Sequence, residues 1–153
     1  MTEVLTAAQM RAIEAAAIAS GTVTGLDLME RAGRGVVAAI FEEWPELKAT
    51  SQGGRTAPLA ALDWHALRAA AVTVDALFGT GLSRPVAAGV RGALDMALTA
   101  VSRLLAVDLL SGICADSGRV LSEAGYIDRA ADLTVTFQTP KRGHVLAQGA
   151  ELC

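Results

Sequence analysis

Two stretches of this chain share one pattern, and that pattern restricts the fold more than any other feature does. In the first, an apolar run from Ala69 to Val74 ends on a lone acid, Asp75, and the loop Gly79-Thr80-Gly81 follows before Pro85. In the second, Leu104 to Val107 ends on Asp108, and Leu109-Leu110-Ser111-Gly112 is the loop. Short apolar runs bounded by turn residues read as strands buried on both faces. Between them Val90, Leu94, Ala97, Leu98 and Val101 have helical spacing, which predicts a helix from about Val90 to Ser102. Strand, helical crossover and strand make a parallel pair. A third run, Leu133 to Phe137, ends in Thr139-Pro140-Lys141-Arg142-Gly143 and brings a cation to the same edge. Ligands of open α/β sheets bind beyond the carboxyl ends of the strands, so Asp75, Asp108, Ser111 and Lys141 are expected to converge there.

That set of groups allows two kinds of chemistry. Two carboxylates and a hydroxyl can hold a cation through oxygen or handle a proton. A glycine loop and a lysine can hold a phosphate. The residues alone therefore point to a small anionic ligand at the sheet edge, with acid–base chemistry open to it; the plainer alternative has both aspartates capping their loops. Cys114 reads as a space-filling small hydrophobe, and His144 as a loop residue with no assigned duty.

Ahead of the first strand the chain is helical. Thr6 and Gln9 have capping-box spacing, which predicts a helix from Ala7 to Ser20 that stops at Gly21. A second helix starts after Thr24 and runs to about Glu43, ahead of Pro45. Leu28, Met29, Ala32, Val36, Val37, Ile40 and Phe41 form its expected core face, and Gly33 and Gly35 predict close approach of another backbone. Pro45 to Pro58, PELKATSQGGRTAP, reads as a linker without helical or strand period. A short helix capped by Asp63 follows it.

Composition limits the remaining possibilities. A chain of 153 residues is expected to be one domain. Its residues are 52% hydrophobic but 4% aromatic, so the core is built from Ala, Val, Leu and Ile. A mean hydropathy of +0.41 is high enough to suggest apolar surface shared with a partner subunit. The net charge of −3, with no basic cluster beyond Lys141-Arg142, speaks against a nucleic-acid partner. Cys114 and Cys153 make neither a disulfide framework nor a zinc site and fit a reducing compartment. The opening residues lack a secretory pattern, and no run of about 20 apolar residues escapes a charge. The expectation is a cytoplasmic protein without a membrane span.

Five ordered segments, LTAAQMRAIE, GLDLMERAG, VDALFGTGLSRP, AVDLLSGICADSGRV and ADLTVTFQTPKRGH, resemble the NAD(P)H-hydrate epimerase family, the YjeF N-terminal domain. The resemblance implies a three-layer α/β/α Rossmann-like fold with a mostly parallel sheet, a homodimer, and epimerisation of the R and S forms of hydrated NADH or NADPH. It further implies that Asp75 and Ser111 are potassium ligands and that Gly79, Thr80, Gly81, Leu82, Ser83, Arg84 and Pro85 lie along the substrate. Asp108 is implied to contact the substrate and is the candidate acid–base group.

One departure from the family is large. Its glycine-rich loop of the type GPGNNGGDG, with the strand and helix beside it, has no counterpart between the second helix and VDALFGTG. The linker is too short for a βαβ unit of about 30 residues. The expectation is a sheet reduced to three or four strands and an activity that is weak or lost, the alternative being a non-catalytic interaction module or a generic nucleotide binder. Leu110 also stands where the family has proline, and Arg142 replaces a common proline after Lys141.

Overall fold

The computed structural model describes residues 3–49, 63–100, 102–122 and 127–153. Helices α1 (Ala7–Ala19) and α2 (Gly25–Glu43) open the chain. Both have a complete capping box, in which the Thr6 and Thr24 hydroxyls accept from the amides of Gln9 and Asp27, whose side chains accept from the threonine amides in return. Each box satisfies helix N–H groups that have no partner inside the helix. Helix α1 ends as expected, with Ser20 at its C-cap and Gly21 at φ 73°.

The linker reading is only partly testable. Pro45–Ala49 forms a short 3₁₀ helix, contrary to the expectation of no period, and 50–58 lies outside the described residues. Helix α3 (Trp64–Ala69) follows, with Asp63 Oδ1 accepting from the amides of His65 and Ala66.

Strands β1 (Thr73–Asp75), β2 (Leu104–Val107) and β3 (Leu133–Val135) form a parallel sheet in the order β1-β2-β3, with helix α4 (Ala88–Ala100) between the first two in sequence. This is the expected Rossmann-like α/β architecture, and among the described residues the sheet has three strands. The register pairs Asp75 with Ala106 and Val107 with Val135, so the three strands end side by side. Strand β2 lies in the middle, and its Leu104, Leu105 and Ala106 are completely buried. Leu104 and Ala106 pack with Leu98 of α4, with Leu109, Leu110 and Ile113 of the loop after β2, and with Ala7 of α1. Each fully buried leucine contributes roughly 1.5–3 kcal/mol.

Two expectations for α2 fail. Of its predicted core face only Val36 is buried; Met29 is 71% exposed and Val37 49%. Gly33 and Gly35 face open space, with nothing within 4 Å of where a Cβ would stand. Apolar spacing identified the face of the helix that seeks cover but could not say what covers it.

The opening and closing segments meet. Leu5 donates to the Pro140 carbonyl at 3.0 Å and accepts from the Arg142 amide at 2.9 Å. Asp116 Oδ1 accepts from the Ala7 amide at 2.7 Å, adding a distant cap to α1. A 3₁₀ turn (Arg142–Val145) and helix α5 (Gly149–Leu152), neither expected, complete the chain.

Candidate functional site

The strand ends converge as the sequence indicated, in two linked groups. The first joins Asp75 to Ser111. Asp75 Oδ2 accepts from the Ser111 amide at 2.7 Å, and Oδ1 from the Ser111 hydroxyl at 2.6 Å. Ser111 Oγ in turn accepts from the Phe78 amide at 3.0 Å, so the loops after β1 and β2 are tied through one serine. Both residues are buried. Asp75 Oδ2 and Ser111 Oγ each accept one hydrogen bond from the described residues, and both are the hard oxygen donors that alkali and alkaline-earth cations take. Among the described residues no cluster of three or more His, Cys, Asp or Glu side chains is placed to hold a metal ion.

The second group surrounds Asp108. This residue adopts φ 70°, a left-handed conformation that costs a non-glycine residue about 1–2 kcal/mol. Its amide donates to Val135 at 2.7 Å, and its carbonyl accepts from His144 Nε2 at 2.7 Å. Its carboxylate Oδ1 forms an ion pair with Lys141 Nζ at 2.7 Å and accepts from Thr136 Oγ1 at 3.1 Å. Oδ2 accepts from the Thr80 amide at 3.0 Å. The close approach of loop and carboxylate explains the glycine at position 79, since a Cβ there would stand 2.8 Å from Asp108 Oδ2.

Lys141 reaches the predicted edge but not the predicted task. Its side chain is completely buried, and its ammonium is taken up by Asp108, Thr136 and the Phe137 carbonyl. It is a structural counter-ion and no surface lysine for a phosphate. Removing one partner of a buried pair leaves the other uncompensated, at a cost of about 3–5 kcal/mol. His144, given no duty from sequence, packs its ring between Lys141 and Asp108. The lone signal for both lay in the KRGH segment, whose spacing lets a lysine and a histidine reach one aspartate from a single turn.

A cavity of about 860 Å³ opens beside these groups, lined by Val36 and Met29 of α2, by Gly79, Thr80 and Gly81, and by Asp108. Its size suits a nucleotide-sized ligand. Leu82, Ser83 and Arg84 line an adjoining cavity of about 420 Å³, and Pro85 lies outside both linings. Arg11 of α1 donates to the Thr80 carbonyl at 3.2 Å, so the glycine loop is held from the helical side too. Cys114 borders a further cavity against Arg11 and Thr80. Burial raises its thiol, but hydrogen bonds from Ser117 and from the Asp116 amide outweigh that and leave it below its ordinary value. Burial pushes the Cys153 thiol up instead.

Residues 48–143 match the family described as YjeF-related protein N-terminus. An NAD(P)H-hydrate epimerase of Rhodobacter capsulatus is 33% identical over 94% of this chain and 92% of its own length. One of Roseobacter litoralis is 34% identical over the same shares. A bifunctional NAD(P)H-hydrate repair enzyme of Thermofilum pendens is 46% identical over 53% of this chain and 15% of its own. The first two alignments extend over 202 and 214 residues, longer than the 153 of this chain, so both relatives carry internal residues with no counterpart here. With the family matched by residues 48–143, more than half of this chain, and two relatives aligned nearly end to end, this chain belongs to the YjeF-related protein N-terminus family.

Proposed function

We propose that the chain acts on hydrated NADH or NADPH as an epimerase, at a rate below that of relatives carrying the internal segment. The observation that supports it most is the Asp108 carboxylate, fixed in the wall of a nucleotide-sized cavity by Lys141, Thr136 and the Thr80 amide. Inverting a carbon that bears a hydroxyl requires a bond at that centre to break and re-form. A carboxylate held in place can move the protons that this demands. Gly79, Thr80 and Gly81 lie along the substrate in the larger cavity and restrain it, with Leu82, Ser83 and Arg84 on the adjoining one, which lowers the entropic part of the barrier. Asp75 and Ser111 are the residues that would hold a potassium ion. Bound there, the ion would supply fixed positive charge to the substrate's phosphates. With no glycine-rich loop of the GPGNNGGDG type, the grip on those phosphates is weaker, which is the reason for the reduced rate.

The test is to add the protein to the pure S or R hydrate in potassium buffer and follow the epimer ratio. An approach to equilibrium faster than the uncatalysed one is expected, and equality with the blank overturns the proposal.

The bare α2 surface of Leu26, Met29 and Val37 favours a second reading, a non-catalytic module that pairs with another copy of itself. Light scattering on the purified chain separates the two: a dimer without epimerisation supports the module, and a monomer removes it. The homodimer of the first reading rests on the same surface.

A further inference from the structure

We infer that Lys141 and His144 are positioning residues, which together fix where the Asp108 carboxylate stands on the cavity wall. The inference rests on the reading of Asp108 as the group that moves protons. Both residues come from one short turn, and they hold opposite ends of the same aspartate. The Lys141 ammonium forms an ion pair with Asp108 Oδ1 at 2.7 Å and donates to Thr136 Oγ1 at 2.8 Å and to the Phe137 carbonyl at 2.9 Å. His144 accepts from the Lys141 amide through Nδ1 at 2.9 Å, which leaves the ring proton on Nε2 to be donated to the Asp108 carbonyl at 2.7 Å.

The backbone of Asp108 explains why such a clamp is needed. At φ 70° a residue with a Cβ is in a sparsely populated region and persists there only where its surroundings hold it. Freed from the His144 ring or from the Lys141 ammonium, Asp108 relaxes and its Oδ2 withdraws from the Thr80 amide. The acid then leaves the glycine loop, although the sheet beneath keeps its own hydrogen bonds. Positioning and global stability are thus read by different amides.

The experiment compares amide hydrogen exchange by NMR in the full chain and in Lys141→Met, His144→Phe and His144→Gln variants. In the first two, Thr80 is expected to be accelerated about tenfold more than Leu105 and Ala106 of β2, whose exchange reports the loss of global stability. His144→Gln, which can still donate to the Asp108 carbonyl, is expected to keep Thr80 protected. In the epimerase assay the first two variants are expected to lower kcat with KM unchanged. Unchanged Thr80 protection in both, or acceleration spread equally over Leu105 and Ala106, overturns the clamp. If Lys141→Met does not fold, the contrast between His144→Phe and His144→Gln decides alone. Asp108→Asn is measured alongside: if it epimerises like the parent, the acid–base reading fails while the clamp is still judged on the amides.

Discussion

Strand β2 and helix α2 are both rich in apolar residues, yet they end in opposite surroundings. Every side chain of β2 from Leu104 to Ala106 is sealed between two neighbouring strands and the α4 and loop residues around them. Helix α2 presents Leu26, Met29 and Val37 to solvent and buries Val36 alone, and Val74 of the edge strand β1 is 42% exposed beside it. Parallel sheets normally have both faces covered. The β2 side of this molecule meets that condition and the α2 side does not. The candidate site straddles the boundary, with Asp75, Ser111 and Asp108 on the sealed side and the cavity opening toward α2.

The contrast is broken most directly at two glycines. Gly118 has φ 69°, and a Cβ there would overlap the Leu146 carbonyl. Gly118→Ala is expected to cost about 4 kcal/mol or more. Gly33→Ala, in the open middle of α2, is expected to add about 0.5–1 kcal/mol. Urea denaturation of both variants checks the pair, and a loss at Gly33 would mean that α2 is covered in solution.

A core substitution gives the next largest effect. Leu110 is completely buried, and Leu110→Ala is expected to cost about 3 kcal/mol, whereas Met29→Ala stays within about 0.5 kcal/mol. Thermal melts at several protein concentrations sharpen this. A costly Met29→Ala whose effect grows with concentration would place a second copy on α2.

The smallest effect lies at the helix starts. Helix α1 has the side chain of Asp116 at its first turn as well as its own box, whereas α2 relies on Thr24 and Asp27. Thr24→Ala is expected to cost about 1 kcal/mol. Hydrogen bonds from the Thr24 hydroxyl and amide hold the Asp27 carboxyl below its ordinary value of 3.8. Its stabilising effect is therefore present above that value and is lost as the pH falls through the lower, folded one. A pH series of melts should show this acid-side loss in the parent and not in Asp27→Asn.

Much of this was legible in the sequence, where the signal was local. The Thr6 capping box, the start of α2 after Thr24, the strand ends at Asp75 and Asp108, and the parallel order follow from spacings of a few residues or from the rule that a helical crossover joins parallel strands. The pairing of Asp75 with Ser111 was approached through the shared edge. What escaped was set by distant partners. Lys141 reads as an exposed loop cation until Asp108 and Thr136 are seen to enclose it, and nothing near His144 in sequence announces a backbone carbonyl 36 residues earlier. The α2 face misled for the converse reason, since periodicity reports a helix's apolar side whether or not a partner exists for it.

The stitching of Leu5 to Pro140 and Arg142, and of Ala7 to Asp116, bears on how the chain is made. During synthesis α1 leaves the ribosome well before the residues that receive it, since Asp116 follows Ala7 by 109 positions. Until they emerge, the helix must wait with Met10, buried in the finished protein, open to water. Contacts this far apart in sequence slow folding and lengthen the interval in which a nascent chain can stick to its neighbours. For this protein the hazardous interval runs from the emergence of α1 to that of Asp116, Pro140 and Arg142.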